Sequence, residues 1–259
     1  FKWLKVSNNF DYTHDKYTQP LGASSVGGGL VWQGINNEGH PSAPIFNPDG
    51  TLTKSGAYSL GGFITGNNWI KRTTKTLKNT TTFNANFFDN KLRLTSDFSF
   101  RTKDFIEDKK NTAIPYSEYE GVITYLGTPE TDDKMSEKVQ QTSYISTNAY
   151  AEFENIFGGK HYIKLLGGYN YEQQDYRATK SERNGLLMPD VEDINFAMGE
   201  TMSITSDASR WRYAGAFFRL NYSYDNRYLF EVNGRYDGSS KFPNNSQWGF
   251  FPSASAAWR

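Results

Sequence analysis

The side chains able to catalyse a reaction or hold a metal are few and scattered. His14, His40 and His161 share no H-x-x-x-H or H-E-x-x-H spacing that would bring two imidazoles to one ion, and the chain has no cysteine. Thiolate ligands, cysteine nucleophiles and disulfides are therefore excluded, and no G-x-S-x-G run supplies a serine elbow. Gly27-Gly28-Gly29 lacks a following Lys-Ser/Thr and reads as a loop, not a phosphate cradle. Glu152 with Glu154, and Glu231 with Asp237, could flank a bond as the carboxyls of a glycosidase do. Each pair, however, recurs at even spacing among Lys, Arg and Asn, as expected where charges solvate one polar face of a sheet. No enzyme activity and no cofactor is expected. Sugar recognition needs flat rings beside amides or carboxylates, and one long loop region offers Trp32, Asn36, Asn37, Tyr58, Asn67, Asn68 and Trp69 as candidate ligand contacts.

Composition narrows what must position these residues. Lysine plus arginine and aspartate plus glutamate are both 28, so no basic field favours nucleic acid. Hydrophobic residues are only 37%, yet the chain carries 19 Phe, 17 Tyr and 6 Trp. Mean hydropathy is −0.70, and no apolar run approaches the roughly 18 to 20 residues of a spanning helix. A membrane β-barrel escapes that test, because lipid-facing and lumen-facing residues alternate along each strand.

Alternation is the dominant pattern. In 211–224, Ala214, Ala216, Phe218, Leu220, Tyr222 and Tyr224 share one parity, and Arg219, Asn221 and Ser223 the other. Tyr228, Phe230, Val232 and Tyr236 likewise oppose Glu231, Asn233, Arg235 and Asp237. Leu92, Leu94, Phe98 and Phe100 oppose Arg93, Asp97, Arg101 and Lys103; Ile145, Ala149, Ala151, Phe153 and Phe157 oppose Asn148, Tyr150, Glu152 and Glu154. Ile163, Leu165, Tyr169 and Tyr171 oppose Lys164, Asn170 and Glu172. Three hairpins turn at Asp89-Asn90, Gly158-Gly159 and Asp225-Asn226, while 18–75, 108–137, 178–209 and 241–246 read as irregular. Short turns on one side and long loops on the other is the asymmetry of outer-membrane barrels, with tyrosines and phenylalanines such as Phe157, Tyr222, Tyr224 and Tyr228 as an interfacial girdle. The expected fold is all-β: a partial transmembrane antiparallel barrel of about seven long strands, with short periplasmic turns and long extracellular loops. Such a wall cannot close alone without exposing backbone groups to lipid, and both chain ends read as mid-strand, so residues 1–259 are expected to be part of a larger barrel.

The last third carries a signature: Arg219-Leu220-Asn221-Tyr222-Ser223-Tyr224-Asp225-Asn226-Arg227-Tyr228, then Arg235-Tyr236-Asp237-Gly238-Ser239-Ser240-Lys241-Phe242, then Trp248-Gly249-Phe250-Phe251-Pro252-Ser253-Ala254-Ser255-Ala256-Ala257-Trp258. This resembles the barrel of SusC/RagA-like TonB-dependent outer-membrane transporters. The hairpin around Gly158-Gly159 is similar more loosely, and residues 1–75 match only in style. The resemblance implies nutrient import across the bacterial outer membrane, with an oligosaccharide or oligopeptide as substrate. It also implies a signal peptide, a plug and a TonB-contacting segment outside these residues, about 22 strands in all, and a SusD-like lipoprotein lid. In that frame Arg93, Arg101, Glu152, Glu154, Arg219, Glu231 and Arg235 line the lumen in an electrostatic and structural role. Asp237, Gly238, Ser239, Ser240, Phe242, Trp248, Phe251, Pro252, Ser253 and Trp258 shape wall and loop, with Pro252 expected at a bulge or bend. Two other readings share the strands: a soluble all-β carbohydrate-binding module of a secreted protein, and a passive porin-like barrel.

Overall fold

The computed structural model describes residues 3–22, 36, 41–65 and 67–259. Eight long strands make one antiparallel sheet in the order β1 (Leu4–Pro20), β2 (Trp69–Phe87), β3 (Leu92–Asn111), β6 (Lys134–Phe157), β7 (His161–Asn184), β8 (Met202–Tyr224), β9 (Tyr228–Ser239) and β10 (Trp248–Trp258). A separate small hairpin pairs β4 (Ile114–Tyr119) with β5 (Val122–Leu126). The wall therefore has eight strands where about seven were expected, because both terminal segments join the six strands of the three hairpins. Among the described residues, β1 pairs only with β2 and β10 only with β9, so the sheet is open at both edges.

The three hairpins turn where the sequence places the turns. Asp89 and Asn90 have φ of 54° and 69°, Gly158 and Gly159 54° and 68°, Asp225 and Asn226 49° and 52°. Successive residues with positive φ match the right-handed twist of the flanking strands, and Asn, Asp and Gly tolerate that conformation best; at the first turn Phe88 joins them with φ of 53°. At the other end the strands run further than the alternation suggested. β7 continues to Asn184 and β8 begins at Met202, because polar residues such as Thr179 to Arg183 keep the backbone ladder going after the apolar parity has stopped.

Register fixes the faces. Tyr171 pairs with Ala214, Ala214 with Gly238 and Gly238 with Trp248; Leu165 pairs with Leu220, Leu220 with Val232 and Val232 with Ala254. Followed across all eight strands, one face carries Val6, Phe83, Leu94, Phe153, Leu165, Phe218, Phe230 and Phe250; over the same span the opposite face carries Arg93, Asn148, Glu152, Lys164, Asn170, Arg219 and Glu231, and toward the long loops charged residues occupy both faces. In β7 the apolar set runs from Ile163 to Tyr171, about the nine residues a tilted strand needs to cross hydrocarbon. Pro252 sits in the β9–β10 ladder opposite Gly234 without a register shift, which corrects the expected bulge. Ser239 N–H donates to Gln247 and Arg259 N–H to Arg227, so odd residues of β10 bond to β9 and Pro252 turns its missing donor to the open edge, where proline is tolerated.

Among the described residues the buried apolar core lies at the long-loop end. A helical run over 54–64 packs with the β4–β5 hairpin around Leu52, Ala57, Ile114 and Tyr116, and a second cluster joins Trp69, Met135, Leu186 and Ala197.

Candidate functional site

The polar face of the sheet is where the chemically versatile side chains gather, and the strand period puts them there. Odd residues of β3, β8 and β9 and even residues of β6 and β7 share this face. Arg93, Arg101, Glu152, Glu154, Arg219, Glu231 and Arg235 all lie on it.

Near the short turns the Arg93 guanidinium bonds Glu152, its Nε at 2.8 Å, and reaches Glu154 at 3.3 Å. Lys164 Nζ stands 2.8 Å from Glu152 and 3.8 Å from Glu154, and the Tyr162 hydroxyl donates to Glu154 at 3.3 Å. Two cations and two carboxylates thus form a compensated cluster, which crosslinks β3, β6 and β7. Half-exposed pairs of this kind contribute only about 0 to 1 kcal/mol each, so the cluster sets local charge more than stability. Further up, Arg101 lies over the Tyr144 ring, its guanidinium carbon 5.2 Å from the centroid, and Tyr144 donates to Glu172 at 2.8 Å. Asn148 donates to Asp97 at 2.9 Å. On β8 and β9, Arg219 donates to Asn233 at 2.7 Å, while Asn221 and Asn233 both donate to Glu231, at 2.6 and 2.7 Å.

The Arg235 cluster accounts for part of the signature. Arg235 donates to Asp237 at 2.7 Å, to Asn170 at 2.9 Å and to the Tyr213 hydroxyl at 2.7 Å, with Phe217 beneath it. All of this converges above Gly215, the register partner of Asp237; a Cβ there would stand 2.2 Å from the Asp237 carboxylate. On the other face Gly238 leaves its space to Trp248, whose ring stacks on Tyr236 at 5.0 Å; a Cβ on Gly238 would meet that ring at 2.6 Å. Ser240 holds the strand end, its Oγ accepting from Arg212 N–H at 2.8 Å, and Ser239 Oγ accepts from Lys241 N–H at 3.3 Å. Phe251 and Ser253 lie on the polar face and Trp258 on the apolar face, and Phe242 is exposed at the loop end.

The loop candidates divide. Trp32 and Asn37 lie outside the described residues. Asn36 is exposed, and Tyr58 and Asn67 are half-buried. Asn68 is fully buried, its amide donating to Gly22 and Thr112 carbonyls at 3.3 Å and its oxygen accepting from Thr112 N–H at 2.6 Å. Trp69 is enclosed by the second cluster. Both therefore hold the loops together, with no surface left for a ligand. Sequence reading did not single out as lining residues Tyr144, Tyr162, Lys164, Asn170, Tyr213 and Phe217, though the same parity rule places each of them on the polar face. Among the described residues no group of three or more His, Cys, Asp or Glu could hold a metal ion.

Comparison with known proteins agrees with this geometry. The chain is 29% identical over 245 residues to TonB-dependent receptor P26 of Formosa agariphila, an alignment that covers 89% of this chain and 23% of that protein. It is 34% identical over 122 residues to TonB-dependent receptor SusC of Bacteroides thetaiotaomicron, covering 47% of this chain and 12% of SusC. The RagAB peptide importer in its open-open state superposes on 98% of the chain with a TM-score of 0.72 at 16% identity, over 28% of the importer chain. The chain thus spans about a quarter of the length of the first relative and of the importer chain. The family model described as TonB dependent receptor-like, beta-barrel matches residues 4–259, so the chain belongs to that family of barrels, which is not a family of enzymes.

Proposed function

We propose that this chain is a section of the wall of an energised importer in the bacterial outer membrane. The apolar face meets lipid, and the polar face lines the lumen through Arg93, Arg101, Glu152, Glu154, Arg219, Glu231 and Arg235. The long loops face outward and the short turns face the periplasm. The substrate is an oligosaccharide or oligopeptide, met first by the loop layer, where Asn36, Tyr58 and Asn67 remain the candidate contacts. A SusD-like lipoprotein covers that end, and a plug with a TonB-contacting segment, contributed by chain outside these residues, couples release to the TonB complex. The lining residues act by charge and hydration. The observation that carries the reading is the sorting of eight strands into one apolar and one charged face; family membership and the short coverage of longer relatives support it. In place of the soluble module, the large exposed hydrophobics Phe218, Phe230, Phe250 and Trp258 on one face favour lipid contact.

Uptake of labelled glycan and peptide mixtures by cells carrying the intact protein tests this. Accumulation that stops when the proton gradient is collapsed is expected. Accumulation that continues without the gradient would instead identify a passive pore.

A further inference from the structure

The outer, apolar-parity face changes character at its long-loop edge. In β7 and β8 the apolar set ends at Tyr171 and Ala214, and the next outward-facing residues are Gln173 with Arg212, Asp175 with Arg210, and Arg177 with Ala208. The same edge carries Lys16 on β1 and Lys75 on β2. At the short-turn edge the outer face of the strands ends instead in Leu4, Phe87, Leu92, Phe157, Tyr224, Tyr228 and Trp258, with His161 as the one basic side chain among the described strand residues. On β2, β3 and β6 the outward lysines of the long-loop rim stand beside acids, Lys75 opposite Asp104 and Lys71 opposite Asp108, whereas on β7 and β8 three arginines share that rim with the single carboxylate of Asp175.

Within that rim the three arginines of β7 and β8 form a group. Tyr171, at the top of the apolar set, donates its hydroxyl to Gln173 at 2.8 Å, and Arg212 Nε donates to the same Gln173 oxygen at 3.2 Å. Arg210 bonds Asp175, which also accepts from Gln173 at 2.6 Å. These bonds fix Arg210 and Arg212 and use one nitrogen of each, leaving the other donors of a five-donor fork open. The Arg210 side chain is 57% exposed although paired. Arg177 is exposed, and beside it the small Ala208 leaves a shallow hollow of about 290 Å³ bounded by Asp175, Arg177, Ala208 and Arg210. At about 3.4 Å per residue on a strand tilted about 40°, Arg212 and Arg210 stand roughly 5 and 10 Å above the hydrocarbon edge, the depth of lipid headgroups. One carboxylate among three guanidiniums leaves a net positive site matched to a phosphate.

We propose that Arg177, Arg210 and Arg212 bind the phosphorylated headgroup of a lipid in the outward-facing leaflet. The proposal rests on the orientation given above, with the long loops outward. The acyl chains lie against Tyr169, Ala216 and Phe218 on the same face, and the phosphate sits between the arginines. A lipid held there seals the rim where β8 gives way to the short β9.

The test uses the full-length protein in detergent, incubated with diphosphoryl lipid A and examined by native mass spectrometry. A one-to-one adduct is expected. The R210Q/R212Q double variant should lower the bound fraction at fixed lipid by at least about tenfold, and K138Q, on the opposite face, should leave it unchanged. Should the double variant fail to insert, R177Q alone, whose side chain has no bond among the described residues, should still weaken binding about threefold. Equal binding by either arginine variant would overturn the proposal. So would equal binding of lipid A stripped of its phosphates, or displacement of the lipid by millimolar inorganic phosphate, which would mark a site for free phosphate. A protein that remained monomeric without detergent would overturn the wall reading itself, whereas an inserted protein that retained no lipid would overturn only this inference.

Discussion

The loop layer and the wall below it are built on opposite rules. In the loop layer Ala57 and Ile114 are fully buried and Leu52, Tyr116, Met135 and Leu186 nearly so, as in any water-soluble core. In the wall Phe218, Phe250 and Trp258 are 47%, 56% and 72% exposed, and among the described residues no apolar cluster forms between strands and a second layer. The loop layer satisfies its own hydrophobic side chains, whereas the wall satisfies only its backbone, through the ladder, and needs hydrocarbon to cover the rest. The chain therefore carries one folding problem solved internally and one solved by the membrane, and substitutions should sort accordingly.

The largest expected effect is in the loop layer. Ile114→Ala empties the centre of the first cluster and should cost about 2 to 5 kcal/mol of loop-layer stability, read by amide exchange of the β4–β5 hairpin, with the wall's exchange unchanged. Uniform loss across wall and loops would show that the two regions are one cooperative unit.

Next come Leu220→Arg and Phe230→Arg, which place charge in lipid and should cost about 2 to 4 kcal/mol near the midplane in bilayer unfolding measurements. The control Val122→Arg, on the exposed hairpin, should stay within about 0.5 kcal/mol. Equal, small effects at all three positions would erase the distinction between the regions.

Gly215→Val tests the wall's polar face. The new side chain meets Asp237, Asn170 and Arg235, and overpacking should cost about 1 to 3 kcal/mol, while Ser223→Val, further along the same strand and face, serves as the comparison. An unaltered melting temperature for Gly215→Val would remove the packing account of the signature.

The smallest effect is a pH dependence in the loops. Asp133 accepts from Ala113 N–H at 2.5 Å, but burial pushes its carboxyl above the ordinary value. Because the folded state holds this proton more tightly than the unfolded one, its stabilisation is present below the ordinary carboxylate pKa of about 3.9. It is lost as pH rises through the raised value. The protection factor of the Ala113 amide should fall over that window, and Asp133→Asn should flatten the response. A protection factor that rises with pH would reverse the assignment.

Much of the wall was legible because a period of two leaves little freedom: once Leu220 and Phe230 are assigned to one face, Arg219 and Glu231 must take the other, and the register bears this out strand by strand. The turns were equally plain, since Asp225-Asn226 and Gly158-Gly159 are chemically suited to positive φ. The loop layer was not legible. Asn68 and Trp69 have the residue types of a ligand site, and only the tertiary partners Gly22, Thr112 and Met135, distant in sequence, show that they are used for packing. The unbroken ladder at Pro252 escaped for a related reason: which neighbour a strand residue bonds depends on sheet order, which local pattern does not encode.

The most direct test of the two-faced wall is a cysteine scan of residues 163–172 in β7, within a chain that has no native cysteine, with any cysteine elsewhere in the protein replaced. Spin labels in the full-length protein in bilayers would report collisions with lipid-soluble oxygen and with a water-soluble nickel complex. Odd positions, Ile163, Leu165, Tyr169 and Tyr171, should favour oxygen, and even positions, Lys164, Leu166, Asn170 and Glu172, should favour nickel. A profile without that alternation, or with nickel reaching both parities equally, would contradict a wall with lipid on one side and a hydrated lumen on the other.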